Sequence, residues 1–247
     1  MPVLIAAAGC FRSTTWNDRD DGEDGTSSID DGDGPTEDGS DVPREEGMQE
    51  DSGADWPFEG GDEADAGGPC TPDMALVVSL GICVDKYEAS RGDDGRAVSA
   101  HGAMPWTEVT WREADAACAA AGKRLCESEE WHGACGGPEG WALPYGEESR
   151  GDYCNCGPRE TPPEPYPGAV PTGSFATCEG GYPGIFDMVG NVQEWTATYR
   201  STPDAGSGYI RRGGSAYGGS HVCYSDWELE PPDSRLPTLG FRCCKAP

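Results

Sequence analysis

Eleven cysteines lie between residues 70 and 244, and one more stands at residue 10. Thiols at that density are either metal ligands or disulfide partners. A structural zinc site needs two Cys-x-x-Cys half-sites at finger or ribbon spacing. The nearest approaches are Cys154-Asn155-Cys156 and the neighbours Cys243 and Cys244, and neither has that spacing. The pattern therefore predicts an exported, disulfide-stapled fold. Eleven is odd, so at least one thiol is expected to stay free or to pair elsewhere.

The chain ahead of these cysteines has a different character. Residues 3–10 read VLIAAAGC, a short apolar run ending in Cys10. This resembles a bacterial lipobox, in which the chain is cut before a cysteine that is then lipidated. It implies a signal segment over 1–10, a lipid on Cys10, and a lipid-anchored protein of the cell envelope, periplasmic or surface-exposed. Residues 17–68 hold 20 Asp or Glu, 2 Arg, no Lys and 11 Gly, for a net charge of −18. Such a segment buries too little apolar surface to offset ordering, so a disordered acidic linker is expected. It contains no Asp-x-Asp-x-Asp-Gly calcium loop with a closing Glu. The segment from residue 69 to 247 is the candidate folded domain. Its net charge is −11 and it has no Lys/Arg cluster, which argues against nucleic acid as a partner. No apolar run in the chain is long enough to span a membrane.

Within the domain, MALVVSLGICVDKYEA (74–89) reads as two short strands around Gly81, with Cys70 and Cys83 placed to staple the first. Thr110-Trp111-Arg112-Glu113 has the form of a capping box. Trp111, Ala114, Ala117, Cys118 and Ala121 follow at helical spacing, and Gly122 stops the run. A second short helix is expected over Ser128–Cys135. Pro and Gly then recur through Tyr182, and short strands are expected near Tyr209–Arg212 and Gly240–Cys244. Two helices, short strands and much irregular backbone make an α+β domain.

Five stretches line up in order: CVDKYEAS (83–90), WREADAACAAAGKRLCESEEW (111–131), FDMVGNVQEW (186–195), RRGGS (211–215) and LGFRC (239–243). Together they resemble the formylglycine-generating enzyme family, the sulfatase-modifying-factor domain. The resemblance implies a loop-rich variant of the C-type lectin fold. It places Gly190-Asn191 in a turn rather than within a helix. It implies a calcium ion held by Asn191, the Val192 carbonyl and Glu194, since calcium takes oxygen ligands. A second calcium would use Asn155, Cys156, Glu164 and Tyr166. It also implies a disulfide between Cys118 and Cys243.

Members that make formylglycine hold copper(I) between two cysteines after Gly-Gly-Ser. Soft thiolates suit that ion. Here those positions are Gly218 and Cys223, so one sulfur is missing. Ser215 and Trp195 are kept. Cys223 is then expected in a disulfide with Cys126 or Cys244, and Cys135 with Cys154, Cys156 or Cys178. His221 could offer copper a nitrogen two residues from Cys223. Related branches hold iron with three histidines, but His101, His132 and His221 are the whole supply here and form no motif. The expectation is an envelope lipoprotein displaying a non-catalytic binding or structural domain, without copper. A pocket near Trp195, Ser215, Tyr217 and Cys223 would face an envelope or extracellular protein or a glycan. The alternative is an active oxidase of protein cysteine or of a small molecule, working through a rearranged metal site.

Overall fold

The computed structural model describes residues 68–157, 168–204, 206–219, 221–224 and 228–247. The expected signal segment with Cys10, the expected linker up to residue 67, and Glu164 and Tyr166 lie outside the described residues. Among those described, no helix is long and apolar enough to cross a membrane.

Strands β1 (Met74–Val77) and β2 (Ile82–Asp85) form the expected hairpin around Gly81. β3 (Ala89–Arg91) and β4 (Ala97–Ser99) make a separate two-stranded sheet. Helix α1 (Trp111–Ala120) starts at the capping box, where Glu113 N donates to the Thr110 hydroxyl and the Glu113 carboxylate accepts from Thr110 N. It ends in a Schellman motif. Lys123 N reaches Cys118 O, Gly122 N reaches Ala119 O, and Gly122 takes the left-handed conformation. After β5 (Arg124–Leu125) comes α2 (Ser128–Gly136), stopped at Gly137 with φ 66°. The remaining strands are β6 (Gln193–Thr202), β7 (Gly206–Arg212), β8 (Leu229–Glu230), β9 (Leu239–Phe241) and β10 (Cys243–Lys245).

Two four-stranded sheets result, ordered β1-β2-β10-β5 and β8-β7-β6-β9. In the second, β9 runs parallel to β6 and aligns Gly240 with Glu194. Two apolar clusters form the core. One gathers Val77, Val84, Trp131, Leu143, Ile185 and Met188. The other gathers Val109, Ala114, Leu125, Trp195, Leu239 and Phe241.

Disulfides join Cys70 to Cys83, Cys118 to Cys243, Cys126 to Cys244, Cys135 to Cys223, and Cys154 to Cys178. Cys156 is the odd thiol of the eleven; it is disulfide-bonded outside these five pairs, and none of the eleven is free, which meets the second of the two expectations. The partners expected for Cys223 and Cys135 need correction, because the two bond to each other. Cys126 and Cys244 are paired elsewhere, and Cys223 N donates to Ala142 O just beyond the end of α2, which brings Cys223 to Cys135.

Successive side chains on a strand point to opposite faces. Accordingly Cys243 pairs with Cys118 in one cluster, and Cys244 with Cys126 in the other. In the chain-entropy model, a link closing 125 residues is worth about 5 kcal/mol and one closing 13 about 3 kcal/mol. Urea unfolding of a Cys118→Ala/Cys243→Ala double variant should show the larger loss, and Cys70→Ala/Cys83→Ala the smaller. The reverse order would mean that native strain or residual unfolded structure sets these costs.

Candidate functional site

Between Phe186 and Gln193 the chain forms a loop because its backbone cannot stay helical. Asp187, Gly190 and Asn191 take φ of 57°, 81° and 51°. A Cβ on Gly190 would lie 2.6 Å from Asn155 O, so only glycine fits there. Asn191 is a residue type that tolerates the left-handed region. Its side chain is a four-way junction. Nδ2 donates to Glu88 at 2.6 Å and to Val170 O at 3.2 Å. Oδ1 accepts from Asn155 Nδ2 at 3.0 Å and from Val170 N at 2.8 Å. Glu88, fully buried ahead of β3, also accepts from Val192 N at 3.0 Å.

Three residues on, Glu194 sits on β6 with both carboxylate oxygens engaged. Arg242, which follows β9, donates to it from Nε and Nη2 at 2.7–2.9 Å. Trp131 of α2 donates its indole N–H at 2.6 Å. Further guanidinium bonds go to Asp85 O and Phe186 O. Asp187, nearly buried, accepts from Gly173 N at 2.7 Å. Three buried carboxylates thus lie within the field of one buried guanidinium: Glu194 hydrogen-bonds to it, and Glu88 and Asp187 interact with it by charge alone. Burial, with Asp187 and Glu194 nearby, pushes the Glu88 carboxyl well above the usual range. Burial likewise raises Asp187, to about 6, although Gly173 N and Arg242 oppose it.

These contacts test the calcium implied for Asn191, Val192 and Glu194. The set does not fit. Glu194, its one anionic member, is neutralised by Arg242 and capped by Trp131, while Asn191 Oδ1 already accepts two hydrogen bonds. Of the second implied set, Asn155 is part of the Asn191 junction and Cys156 N bonds to Cys154 O. Among the described residues no group of three His, Cys, Asp or Glu is arranged to hold a metal.

The stretch after Gly-Gly-Ser forms a tight turn in which Ser215 and Gly218 exchange backbone hydrogen bonds. The Ser215 hydroxyl accepts from Tyr217 N at 3.2 Å. Buried His221 places Nε2 2.7 Å from Ser215 O. Copper does not fit either. Gly218 offers no donor, and the Cys223 sulfur is bonded to Cys135. Nor do Trp195, Ser215, Tyr217 and Cys223 line one pocket. Trp195 is 1% exposed and donates Nε1 to Val109 O in one core cluster, while Cys223 belongs to the other. Tyr217 is 46% exposed, and Ser215 and Cys223 are buried.

Glu88, Trp131, Asp187 and Arg242 carry the network, and sequence reasoning assigned them no role. A signal was present in each case, since each falls inside one of the five aligned stretches. Their partnership is long-range, spanning up to 157 residues, and no local spacing reveals it.

This loop-rich α+β scaffold is the formylglycine-generating-enzyme-like variant of the C-type lectin fold. Residues 70–247 match the sulfatase-modifying factor enzyme 1-like domain, and the chain belongs to that family. It is 30% identical over 164 residues to the formylglycine-generating enzyme of Mus musculus, covering 56% of this chain and 43% of that protein. It is 33% identical over 157 residues to the inactive C-alpha-formylglycine-generating enzyme 2 of Bos taurus, covering 57% and 50%. The matches thus span half or less of either mammalian protein. The crystal structure of CarF superposes with a TM-score of 0.52 at 17% identity, over 67% of this chain and 86% of that one, and shares the fold.

Two stability measurements follow from the network. Arg242→Met should cost about 3–5 kcal/mol in urea unfolding, because it leaves Glu194 buried and uncompensated. Adding Glu194→Gln should recover part of that loss. Asp187 has a folded pKa above its unfolded value of 3.8, so stability falls as pH rises from about 4 to about 6. Asp187→Asn removes that fall. The variant should match the parent near pH 4 and exceed it by about 1–3 kcal/mol at pH 7.5.

Proposed function

We propose that the domain is a non-catalytic binding or structural module, displayed at a bacterial cell envelope by a lipid on Cys10 and an acidic tether over residues 17–68. The observation that carries this reading is the Cys135–Cys223 disulfide. Where its copper-using relatives are expected to present two thiolates, this chain has Gly218 and a sulfur already bonded. A disulfide sulfur is not a thiolate and does not bind copper(I) as one. One relative bears the word inactive in its name, and the same state suits this chain. The disulfides suit an oxidising compartment outside the cytosol. The exposed rings of Trp141, Tyr217 and Tyr224 border the segments around Cys223 and offer a face for an envelope protein or a glycan.

Copper(I) titration of the native protein, followed by oxygen uptake with a cysteine-containing peptide, tests the proposal. Neither stoichiometric copper binding nor peptide-dependent oxygen consumption is expected. Tight one-to-one binding that disappears in Cys135→Ser/Cys223→Ser would establish a rearranged copper site and overturn this reading.

A further inference from the structure

The hairpin joining β3 to β4 takes no part in the chemistry above. It reads Arg91-Gly92-Asp93-Asp94-Gly95-Arg96. Gly92 N donates to Arg96 O and Gly95 N to Gly92 O, both at 2.9 Å, and Gly95 has φ 79°. This is a three-residue hairpin loop closed by a left-handed glycine, a well-defined rather than a loose geometry. Asp94 turns inward. Its carboxylate accepts from Arg96 N at 3.0 Å and pairs with the Arg96 guanidinium, so those two charges cancel locally.

Arg91 and Asp93 are left over. Both are exposed, and among the described residues neither side chain enters a hydrogen bond or ion pair. The Arg91 guanidinium lies 5.0 Å from the centre of the Trp106 ring. This cation–π contact leaves its N–H groups without a hydrogen-bond acceptor among the described residues. Gly92 holds the two charges one residue apart. A Cβ there would come within 3.1 Å of Arg96 O and Val98 Cγ2, a tight approach that favours glycine between the two charges. The hairpin thus displays an exposed cation and an exposed anion two positions apart, on a chain of net charge −28.

We infer that Arg91-Gly92-Asp93 is a docking element for a receptor that reads a guanidinium and a carboxylate together. Such a receptor offers an acidic pocket, which takes the guanidinium through paired N–H bonds. It also holds a divalent cation, to which a carboxylate adds as a hard oxygen ligand. Preorganisation in the hairpin reduces the ordering cost of binding. This inference goes beyond the proposed loss of copper chemistry and does not depend on it.

The test uses the full-length protein over an immobilised integrin ectodomain that reads Arg-Gly-Asp, in buffer containing manganese. Saturable binding is expected, abolished by EDTA and displaced by a cyclic Arg-Gly-Asp peptide. Asp93→Glu keeps the charge and the turn position, and Arg91→Ala removes the guanidinium. Each should weaken binding by at least about tenfold while leaving the thermal midpoint unchanged. No saturable binding in manganese, or equal affinity for Asp93→Glu, would overturn the inference. The copper and oxygen measurements are unaffected by either outcome, so the two readings fail separately.

Discussion

The buried contact between Arg242 and Glu194 organises the rest of the domain. A guanidinium taken out of water is costly unless every N–H is matched, and here the matches come from distant parts of the chain. Glu194 comes from β6, Asp85 O from the end of β2, and Phe186 O from the loop before β6. Trp131 completes the carboxylate's shell from α2. One side chain therefore fixes the mutual position of both four-stranded sheets and a helix. The neighbouring junction of Asn191 with Glu88, Asn155 and Val170 fixes the loop that leads into β6. Loops cover much of this fold, and loops lack a ladder of their own. Buried polar side chains supply the hydrogen bonds that regular structure would otherwise provide.

The same network occupies the donors of the calcium set that the family resemblance implied. Calcium would bring charge and coordination to a loop that here already has both. Glu194 answers to a guanidinium and Asn191 to amides and a carboxylate. For copper the change is covalent rather than electrostatic. Bonding Cys223 to Cys135 turns a position expected to hold a reactive sulfur into a staple. The loop bearing Ser215 and Tyr217 is thereby tied to α2.

Much of this was legible in the residues. The capping box at Thr110 and Glu113, the glycine stop at Gly122, and the hairpin around Gly81 are local, and each appears where its spacing places it. Gly190-Asn191 stands in a turn, as the resemblance implied. The staple between Cys70 and Cys83 was also visible, being only 13 residues long. The other disulfide partners were not, with the exception of Cys118 and Cys243, which the resemblance supplied. Cysteine connectivity is a property of tertiary contacts, and eleven thiols allow many pairings. The pocket expected around Trp195 failed because a tryptophan beside a strand's polar motif can equally face the core. On β6 the buried run covers four consecutive residues, Gln193 to Thr196, so simple alternation gives no face to read.

Strand β10 closes the first sheet from within, lying between β2 and β5, and it consists of Cys243, Cys244 and Lys245. Its two sulfurs wait for Cys118 and Cys126, made more than a hundred residues earlier. A nascent chain consequently holds two orphan thiols and an open sheet until residues 243–245 have emerged. Loss of those three residues would leave the first sheet without a strand between β2 and β5, and each core cluster without one of its disulfides.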